Sequence, residues 1–205
     1  MAKNGRDKIV HAAFKLFLHK GYKKTSLADI IKATQLSKGA IYHHFKSKYA
    51  IYLATLDAFF FKLYDNFIID DDHLNLFERI KNRFLFFVDL IDFIETSDEN
   101  NSFPIRRYFQ FQLESEEDPN IRAQVQQTLL QLSTEIYNII EKAIQQKEIK
   151  TVLPVPVISQ QLLAMIEGIT IHHSTVEHEG KQILLQKYDE VVVPYLNLLT
   201  KQNLS

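Results

Sequence analysis

Cysteine is absent from all 205 residues, so the chain forms no disulfide and offers neither a thiolate ligand nor a cysteine nucleophile. Glycine and proline are scarce, with five of each, and long stretches keep a helical spacing of apolar residues. No run of about 18 uncharged apolar residues is present, which argues against a membrane-spanning helix. The N-terminus also lacks the apolar stretch of a signal peptide. We therefore expect an all-α, cytoplasmic protein that makes no membrane contact.

Common catalytic patterns are missing as well. The sequence has no G-x-S-x-G, no P-loop glycines and no H-E-x-x-H. We expect no catalytic residue, no cofactor and no resident metal. One polar cluster leaves a metal-responsive regulator open as an alternative, because His173 and Glu177 are four residues apart, between His172 and His178. The competing interpretation is that the dipole at a helix C-terminus favours histidine there.

Residues 25–48 show the pattern of two short helices joined by a tight turn. Ser26 and Asp29 have the spacing of a capping box at the first helix start, and Ser37 is placed to cap the second helix. Ile41 and Phe45 are four apart and are predicted to face inward. This is the outline of a helix-turn-helix, whose second helix can lie in the DNA major groove.

Charge is distributed unevenly and supports this interpretation. The whole chain carries −1, but residues 1–50 contain 11 Lys/Arg and only 2 acidic residues. The remaining 155 residues contain 13 Lys/Arg and 23 acidic residues. A basic lobe attached to an acidic body is typical of a protein that docks one lobe on DNA phosphates.

A family resemblance follows from these residues. Residues 9–56 resemble the DNA-binding domain of the TetR/AcrR family of bacterial repressors, and the segment SKGAIYHHFKSK is specific to that family. Two positions depart from the family pattern: Tyr49 replaces a usual acidic residue, and Ile31 replaces a usual alanine. The other matching elements are Ile9 to Ala13, Leu16-Phe17, Gly21-Tyr22, Thr25-Ser26-Leu27 and Ile30.

The resemblance implies an N-terminal three-helix DNA-binding domain, residues 1–48, and a C-terminal helical regulatory and dimerisation domain, residues 49–205. Periodicity along the chain predicts about nine helices in total. Beyond the helix-turn-helix, we predict them near Arg6–Lys20 (ended by Gly21), Lys48–Phe67, Leu74–Glu95, Pro104–Leu113, Pro119–Gln146, Val157–Val176 and Lys181–Leu199.

Candidate DNA contacts lie in and around the second helix of the motif. Lys38 can donate to guanine and the Ala40 methyl can contact thymine, while Gly39 permits close backbone approach. Packing against a neighbouring helix is the alternative for Tyr42 and His44. With the family's phosphate-contacting positions included, the predicted DNA-binding residues are Thr25, Ser26, Ser37, Lys38, Gly39, Ala40, Tyr42, His43, His44 and Lys48.

Residues 157–199 form a helical hairpin with wide apolar faces. The pattern alone leaves open whether these faces complete the core of one chain or pair with a second copy. The resemblance implies a homodimer through this hairpin, bound to a palindromic double-stranded DNA operator. Pro194 is predicted to kink the last helix, because it lacks a backbone donor.

Aromatic residues are abundant, with 15 Phe and 9 Tyr. The resemblance implies that many of them line a pocket for a small apolar or aromatic effector, although aromatic residues at helical spacing can equally form plain core. A DNA-binding protein without any small-molecule inducer therefore also stays open. The predicted ligand-binding residues are Phe61, Tyr64, Phe84, Phe87, Tyr108, Phe109, Gln112, Tyr137 and Met165.

Overall fold

The computed structural model describes residues 5–97, 108, 110, 118–173 and 180–201. Within these residues the chain forms eight helices and no β-strand, which confirms the predicted all-α class. No helix among them is long and apolar enough to cross a membrane. The helices are α1 (Gly5–Lys24), α2 (Leu27–Thr34), α3 (Lys38–His44), α4 (48–67), α5 (Leu76–Ser97), α6 (Pro119–Gln145), α7 (Val155–His173) and α8 (180–201).

One predicted helix falls largely outside the described residues. Tyr108 and Gln110 are helical, but the rest of the predicted Pro104–Leu113 segment is not among those residues. The described residues pack as two compact units. The first takes residues up to Asp65 and those from Arg106 to Val125, and the second takes those from Asn66 to Ile105 and from Gln126 onward. The predicted division after residue 48 concerns function and stays a prediction.

Apolar residues at helical spacing form the core of the first unit. On α1, Ile9 and Ala13 are fully buried and Phe17 is 1% exposed. Ile30 of α2 and Ile41 of α3 are fully buried as well. Burial of one such large apolar side chain contributes about 1.5–3 kcal/mol, so this shared core fixes the three short helices against one another.

α1 is regular as far as Lys20 and then breaks at Gly21, whose backbone has φ 75° and ψ 160°. A positive φ of this kind suits glycine, because a Cβ atom would clash with the backbone. The prediction that Gly21 ends the regular helix is therefore confirmed. Residues 22–24 continue past the break toward α2.

Two helices contain a π-helical turn. In α4 it spans Asp57–Phe61, and in α8 it spans Tyr188–Val192. The second turn comes just before Pro194, and the Val193 amide donates to the Tyr188 carbonyl five residues back. The kink predicted at Pro194 stays a prediction.

Aromatic packing and buried ion pairs stabilise the second unit. The Phe84 ring of α5 lies 4.9 Å from the Tyr188 ring of α8, centroid to centroid. Arg83 is 1% exposed and makes two hydrogen bonds to Asp71, Nη1 to Oδ2 at 2.6 Å and Nη2 to Oδ1 at 3.1 Å. Its Nε also donates to Glu135 of α6, at 3.1 Å. These contacts tie α5 to α6 and to the segment that precedes α5.

Candidate nucleic-acid interface

Side-chain capping interactions set the start of each motif helix. The Asp29 amide donates to Ser26 Oγ at 3.1 Å, and Asp29 Oδ2 accepts from the Ser26 amide at 2.8 Å. The Ser26 hydrogen bonds, backbone first, together with an ion pair from Lys20 at 3.0 Å, hold the pKa of Asp29 well below its ordinary value. Ser37 Oγ accepts from the Ala40 amide at 3.1 Å. Both predicted caps are therefore confirmed.

The turn between α2 and α3 depends on one left-handed residue. Gln35 has φ 55° and ψ 24°, and its amide donates to the Ile31 carbonyl at 2.9 Å. Thr34 closes the same end, because its hydroxyl donates to the Ile30 carbonyl at 2.7 Å. This left-handed C-cap stops α2, so that α3 starts in a new direction three residues later.

α3 separates a buried face from an exposed one. Ile41 is fully buried and Phe45, just after the helix, is 6% exposed, as predicted. Tyr42 is 47% exposed, and the Lys38 ammonium lies 5.9 Å from the centre of its ring. Gly39 and His43 are also exposed, while Ala40 is half-buried. These side chains are open to a partner on the outer face of α3.

His44 is placed differently from the other polar residues of α3. It is half-buried beside Gly5. The imidazole lies so close to Gly5 that a Cβ atom built on this glycine would be 2.9 Å from His44 Nε2. The imidazole therefore lies against the first residue of α1. This matches the packing alternative raised for His44, and we leave His44 out of the contacts proposed below.

Thr25 and Lys48, two predicted phosphate contacts, hold the junction of α1 and α2. Thr25 is 1% exposed, and its hydroxyl donates to the Gly21 carbonyl at 2.9 Å. This hydroxyl is engaged within the fold, and the predicted DNA contact of Thr25 stays a prediction. Lys48 Nζ donates to the carbonyls of Tyr22 at 2.9 Å and Thr25 at 2.8 Å, which uses two of its three hydrogens.

Replacing Lys48 by methionine should lower the free energy of unfolding by about 1.5–3 kcal/mol, the usual contribution of hydrogen bonds to a charged group. The reason is that two carbonyls at the α1–α2 junction lose their donor. Urea titration followed by circular dichroism would measure the change. Lys46→Met is the matched control, because Lys46 is an exposed neighbour. Equal midpoints for the two variants would contradict a structural role for Lys48.

The predicted effector residues fall in both units. Tyr108 is fully buried in the first unit, where its hydroxyl donates to the Phe59 carbonyl at 3.1 Å. Phe61 and Tyr64 belong to the same unit, whereas Phe84, Phe87, Tyr137 and Met165 belong to the second. Phe109 and Gln112 lie outside the described residues. Their common pocket stays a prediction.

Full burial favours the plain-core interpretation for part of this set. Phe84 and Phe87 are both 0% exposed in the second unit. Tyr137 and Met165 are half-buried, and the Tyr137 hydroxyl donates to Glu141 at 3.3 Å. The described members of the predicted set do not line the cavities of about 550 Å³ and about 400 Å³.

The histidine cluster near the end of α7 is described only in part. His172 is exposed, whereas Glu177 and His178 lie outside the described residues, as does the side chain of His173. The described part of the chain contains no group of three His, Cys, Asp or Glu residues arranged to hold a metal ion. The metal-responsive alternative therefore stays untested.

Comparison with known proteins identifies the family to which the helix-turn-helix motif belongs. A family model for bacterial regulatory proteins of the tetR family matches residues 9–55. The Staphylococcus aureus (strain Newman) biofilm operon icaADBC HTH-type negative transcriptional regulator IcaR is 34% identical over 132 residues, covering 64% of this chain and 67% of that protein. The chain belongs to the TetR family.

Other TetR-family proteins agree in sequence and fold. The HTH-type transcriptional regulator QacR of Staphylococcus aureus (strain Mu50 / ATCC 700699) is 41% identical over 54 residues, 26% of this chain and 29% of that protein. The solved ketosteroid transcriptional regulator of Mycobacterium tuberculosis superposes with a TM-score of 0.69 at 17% identity, covering 98% of this chain and 97% of that one. At that identity the likeness shows the fold alone. Family membership makes the chain a DNA-binding transcriptional regulator rather than an enzyme.

Proposed function

We propose that this TetR-family regulator is a homodimeric repressor that binds a palindromic operator through α3 and leaves it when a small apolar ligand binds. The proposal that α3 binds DNA rests on its exposed outer face. The left-handed cap at Gln35 and the N-cap at Ser37 set the position of this helix. Negative regulation is proposed by analogy with IcaR, which is described as a negative transcriptional regulator.

Within α3, the proposed roles divide by chemistry. Lys38, in the first turn, donates to guanine acceptors, and the Ala40 methyl packs on thymine, so these two residues supply sequence choice. Tyr42 and His43 donate to phosphate oxygens, which supplies affinity and little sequence preference. Ser37 and Gly39 allow the backbone at the start of the helix to approach a phosphate.

We expect Tyr42→Ala to weaken binding to every DNA sequence by about tenfold, equivalent to ~1.4 kcal/mol, since a phosphate contact is lost. Lys38→Ala should instead reduce the preference for one sequence over others. Selection of bound fragments from random DNA gives the preferred site, and titrations on that site and on a scrambled duplex measure both effects.

Lys15→Ala is the control, because Lys15 is an exposed lysine of α1 away from α3. If Tyr42→Ala bound the selected site as tightly as the unchanged protein, Tyr42 would not be a contact. A selected site without twofold symmetry would contradict the palindromic operator.

Dimerisation through residues 157–199 is supported by apolar side chains left at the surface of the described chain. Val157 of α7 is 37% exposed, and Val191 and Leu198 of α8 are 40% and 64% exposed. Tyr195 of α8 hydrogen bonds to Gln161 of α7, so the start of α7 lies beside the end of α8. Val157 and Leu198 therefore occur at the same end of the hairpin, where a second copy can cover them.

Release by an effector requires a ligand that favours a conformation unable to bind the operator. The members of the predicted set that are only half-buried, Phe61, Tyr137 and Met165, support an apolar ligand. A thermal-stability screen of apolar compounds, followed by operator titration with each hit, tests this part. Hits that raise the melting temperature and leave operator affinity unchanged would argue against coupling.

A further inference from the structure

A cavity of about 400 Å³ lies within the second unit, between the segment that precedes α5, the first turns of α5 and the C-terminal half of α6. Two arginines of α5, Arg79 and Arg83, line it together with Glu135 and Lys142 of α6. Both arginines are 1% exposed. Because a buried guanidinium needs acceptors for its N–H groups, the hydrogen bonds of these two residues indicate what a ligand of the cavity would have to supply.

Arg83 has acceptors for all three of its nitrogens. Its Nε donates to Glu135 at 3.1 Å, and its Nη1 donates to Asp71 at 2.6 Å. Its Nη2 donates to Asp71 at 3.1 Å, to the Ile69 carbonyl at 3.2 Å and to Glu135. One guanidinium therefore lies between two carboxylates, so this group of three side chains has one negative charge in excess.

Arg79, one turn earlier on α5, is paired at one nitrogen and unpaired at the other two. Its Nη2 donates to Glu148 Oε1 at 2.6 Å and to Gln146 Oε1 at 3.2 Å. Its Nε and Nη1 are buried and have no hydrogen-bond acceptor among the described residues. The second oxygen of Glu148 accepts from the Leu76 amide at 2.6 Å, which fixes this carboxylate and, with it, the guanidinium. The unpaired donors are therefore held in place beside the cavity that Arg79 lines.

The charges around the cavity favour a neutral ligand over an anion. Glu148 already balances the charge of Arg79, and Lys142 is paired with Asp72. A second anion beside Arg79 would be repelled by the excess negative charge of the Arg83 group. A neutral oxygen can accept from Nε and Nη1 without that repulsion.

Other side chains of the lining suit the rest of a small amide. Ile68 and Ile69 are 53% and 41% exposed, and Ile139 is 5% exposed, so apolar surface is available next to the polar groups. The exposed side chains of Asp70 and Asn138 also line the cavity and offer oxygens that accept from N–H groups. A primary carboxamide combines one acceptor oxygen with two N–H donors and has no net charge.

We propose that this cavity binds a small aliphatic carboxamide. The amide oxygen accepts from Arg79, the amide N–H groups face Asp70 and Asn138, and the aliphatic tail lies against Ile68 and Ile139. Recognition through hydrogen bonds to a buried cation distinguishes this ligand from the small apolar effector proposed above.

The first test compares two probes of the same shape on the full chain, 4-methylpentanamide and 4-methylpentanoate, by saturation-transfer NMR titration at neutral pH. We expect saturable binding of the amide, at least about tenfold tighter than that of the carboxylate. Equal or tighter binding of the carboxylate would overturn the charge argument. Absence of saturable amide binding would overturn the proposal, since water alone would then serve the Arg79 donors.

A conservative variant tests the role of Arg79. Arg79→Lys keeps the positive charge next to Glu148 but replaces the three guanidinium nitrogens by one ammonium, and we expect at least about a tenfold loss of amide affinity. Arg122→Lys is the matched control, because Arg122 is an exposed arginine of α6. Equal amide affinity in the two variants would overturn the assignment of Arg79.

A second variant tests the location without changing a buried residue. Asn138→Phe places a ring at an exposed position of the lining, where it should obstruct the cavity and weaken amide binding at least about tenfold. Gln131→Phe is the control, because Gln131 is exposed on the same face of α6 two turns earlier. Unchanged binding in Asn138→Phe would overturn the proposed location. No operator is used, so these results do not depend on the repressor proposal.

Discussion

Replacing Arg83 by methionine is expected to lower the free energy of unfolding by about 3–5 kcal/mol, the usual loss when one partner of a buried ion pair is removed. Arg83 is 1% exposed and bonds Asp71 and Glu135 together. Methionine fills similar space but leaves Asp71, itself 4% exposed, without the guanidinium. Chemical denaturation at pH 7 would measure the loss.

The difference in the free energy of unfolding between Arg83→Met and the unchanged protein should become smaller as the pH falls. Burial by itself raises the pKa of Asp71, but hydrogen bonds from Arg83 and Asn82 outweigh burial and lower it overall. A carboxyl with a lowered pKa stabilises the fold at neutral pH and loses that contribution in acid. Without Arg83, burial dominates and Asp71 takes up a proton more readily, so the variant and the unchanged protein should converge toward pH 4.

Lys81→Met is the matched control on α5, because Lys81 is exposed. Its free energy of unfolding should stay within about 0.5 kcal/mol of that of the unchanged protein, as for most surface substitutions. A loss of less than 1 kcal/mol in Arg83→Met, or a deficit that does not vary with pH, would contradict the role assigned to these ion pairs.

The double change Val157→Glu/Leu198→Glu is expected to convert the protein to a monomer and to reduce operator affinity by at least about 100-fold. A dimer that contacts two half-sites at once binds about 10²–10⁴ times more tightly than one copy on one half-site, and this increase in affinity is lost when the copies separate. The new carboxylates would meet their counterparts across a twofold axis, and charge repulsion adds to the lost apolar contact. Sedimentation velocity and operator titration measure the two effects separately.

Leu130→Glu provides the control, because Leu130 is an apolar residue of α6 that is 66% exposed and lies outside the proposed interface. It should leave both assembly and operator affinity unchanged. If Val157→Glu/Leu198→Glu remained dimeric, the pairing surface would lie elsewhere. If it became monomeric and still bound the operator tightly, twofold binding would be wrong.

Local signals made the motif predictable from sequence. The caps at Ser26 and Ser37 depend on partners three residues away, and Ile41 and Phe45 lie one turn apart, so a short window contains all the information. The end of the regular helix at Gly21 was predictable for the same reason, because helices commonly end at a glycine that follows the last residue of the apolar repeat. The predicted starts and ends of the helix at 48–67, the predicted start near Leu74 and the predicted helix at Pro119–Gln146 agree with the structure within two residues for the same reason.

Long-range contacts explain what the sequence did not reveal. Lys48 bonds to carbonyls 23 and 26 residues earlier, and no pattern within one helix indicates such a partner. The burial of Arg83 has no signal within α5 either, because the carboxylates that make it possible come from other segments of the chain. The π turns were also missed, since one extra residue per turn leaves little trace in apolar spacing.

The contact between Tyr49 and Asp118 escaped prediction for a related reason. Tyr49 and Asp118 are 69 positions apart, and their 2.6 Å hydrogen bond exists only because α4 and the start of α6 meet. From sequence, Tyr49 registered only as a departure from the family pattern.

The ammonium group of Lys48 links three segments of the first unit. It fastens the first residue of α4 to the backbone on both sides of the α1–α2 corner, at Tyr22 and Thr25. Because α1 shares its buried core with α3, a displacement of the first turn of α4 would be passed to α3 through this junction. In the dimer proposed above, such a movement would change the distance between the two copies of α3.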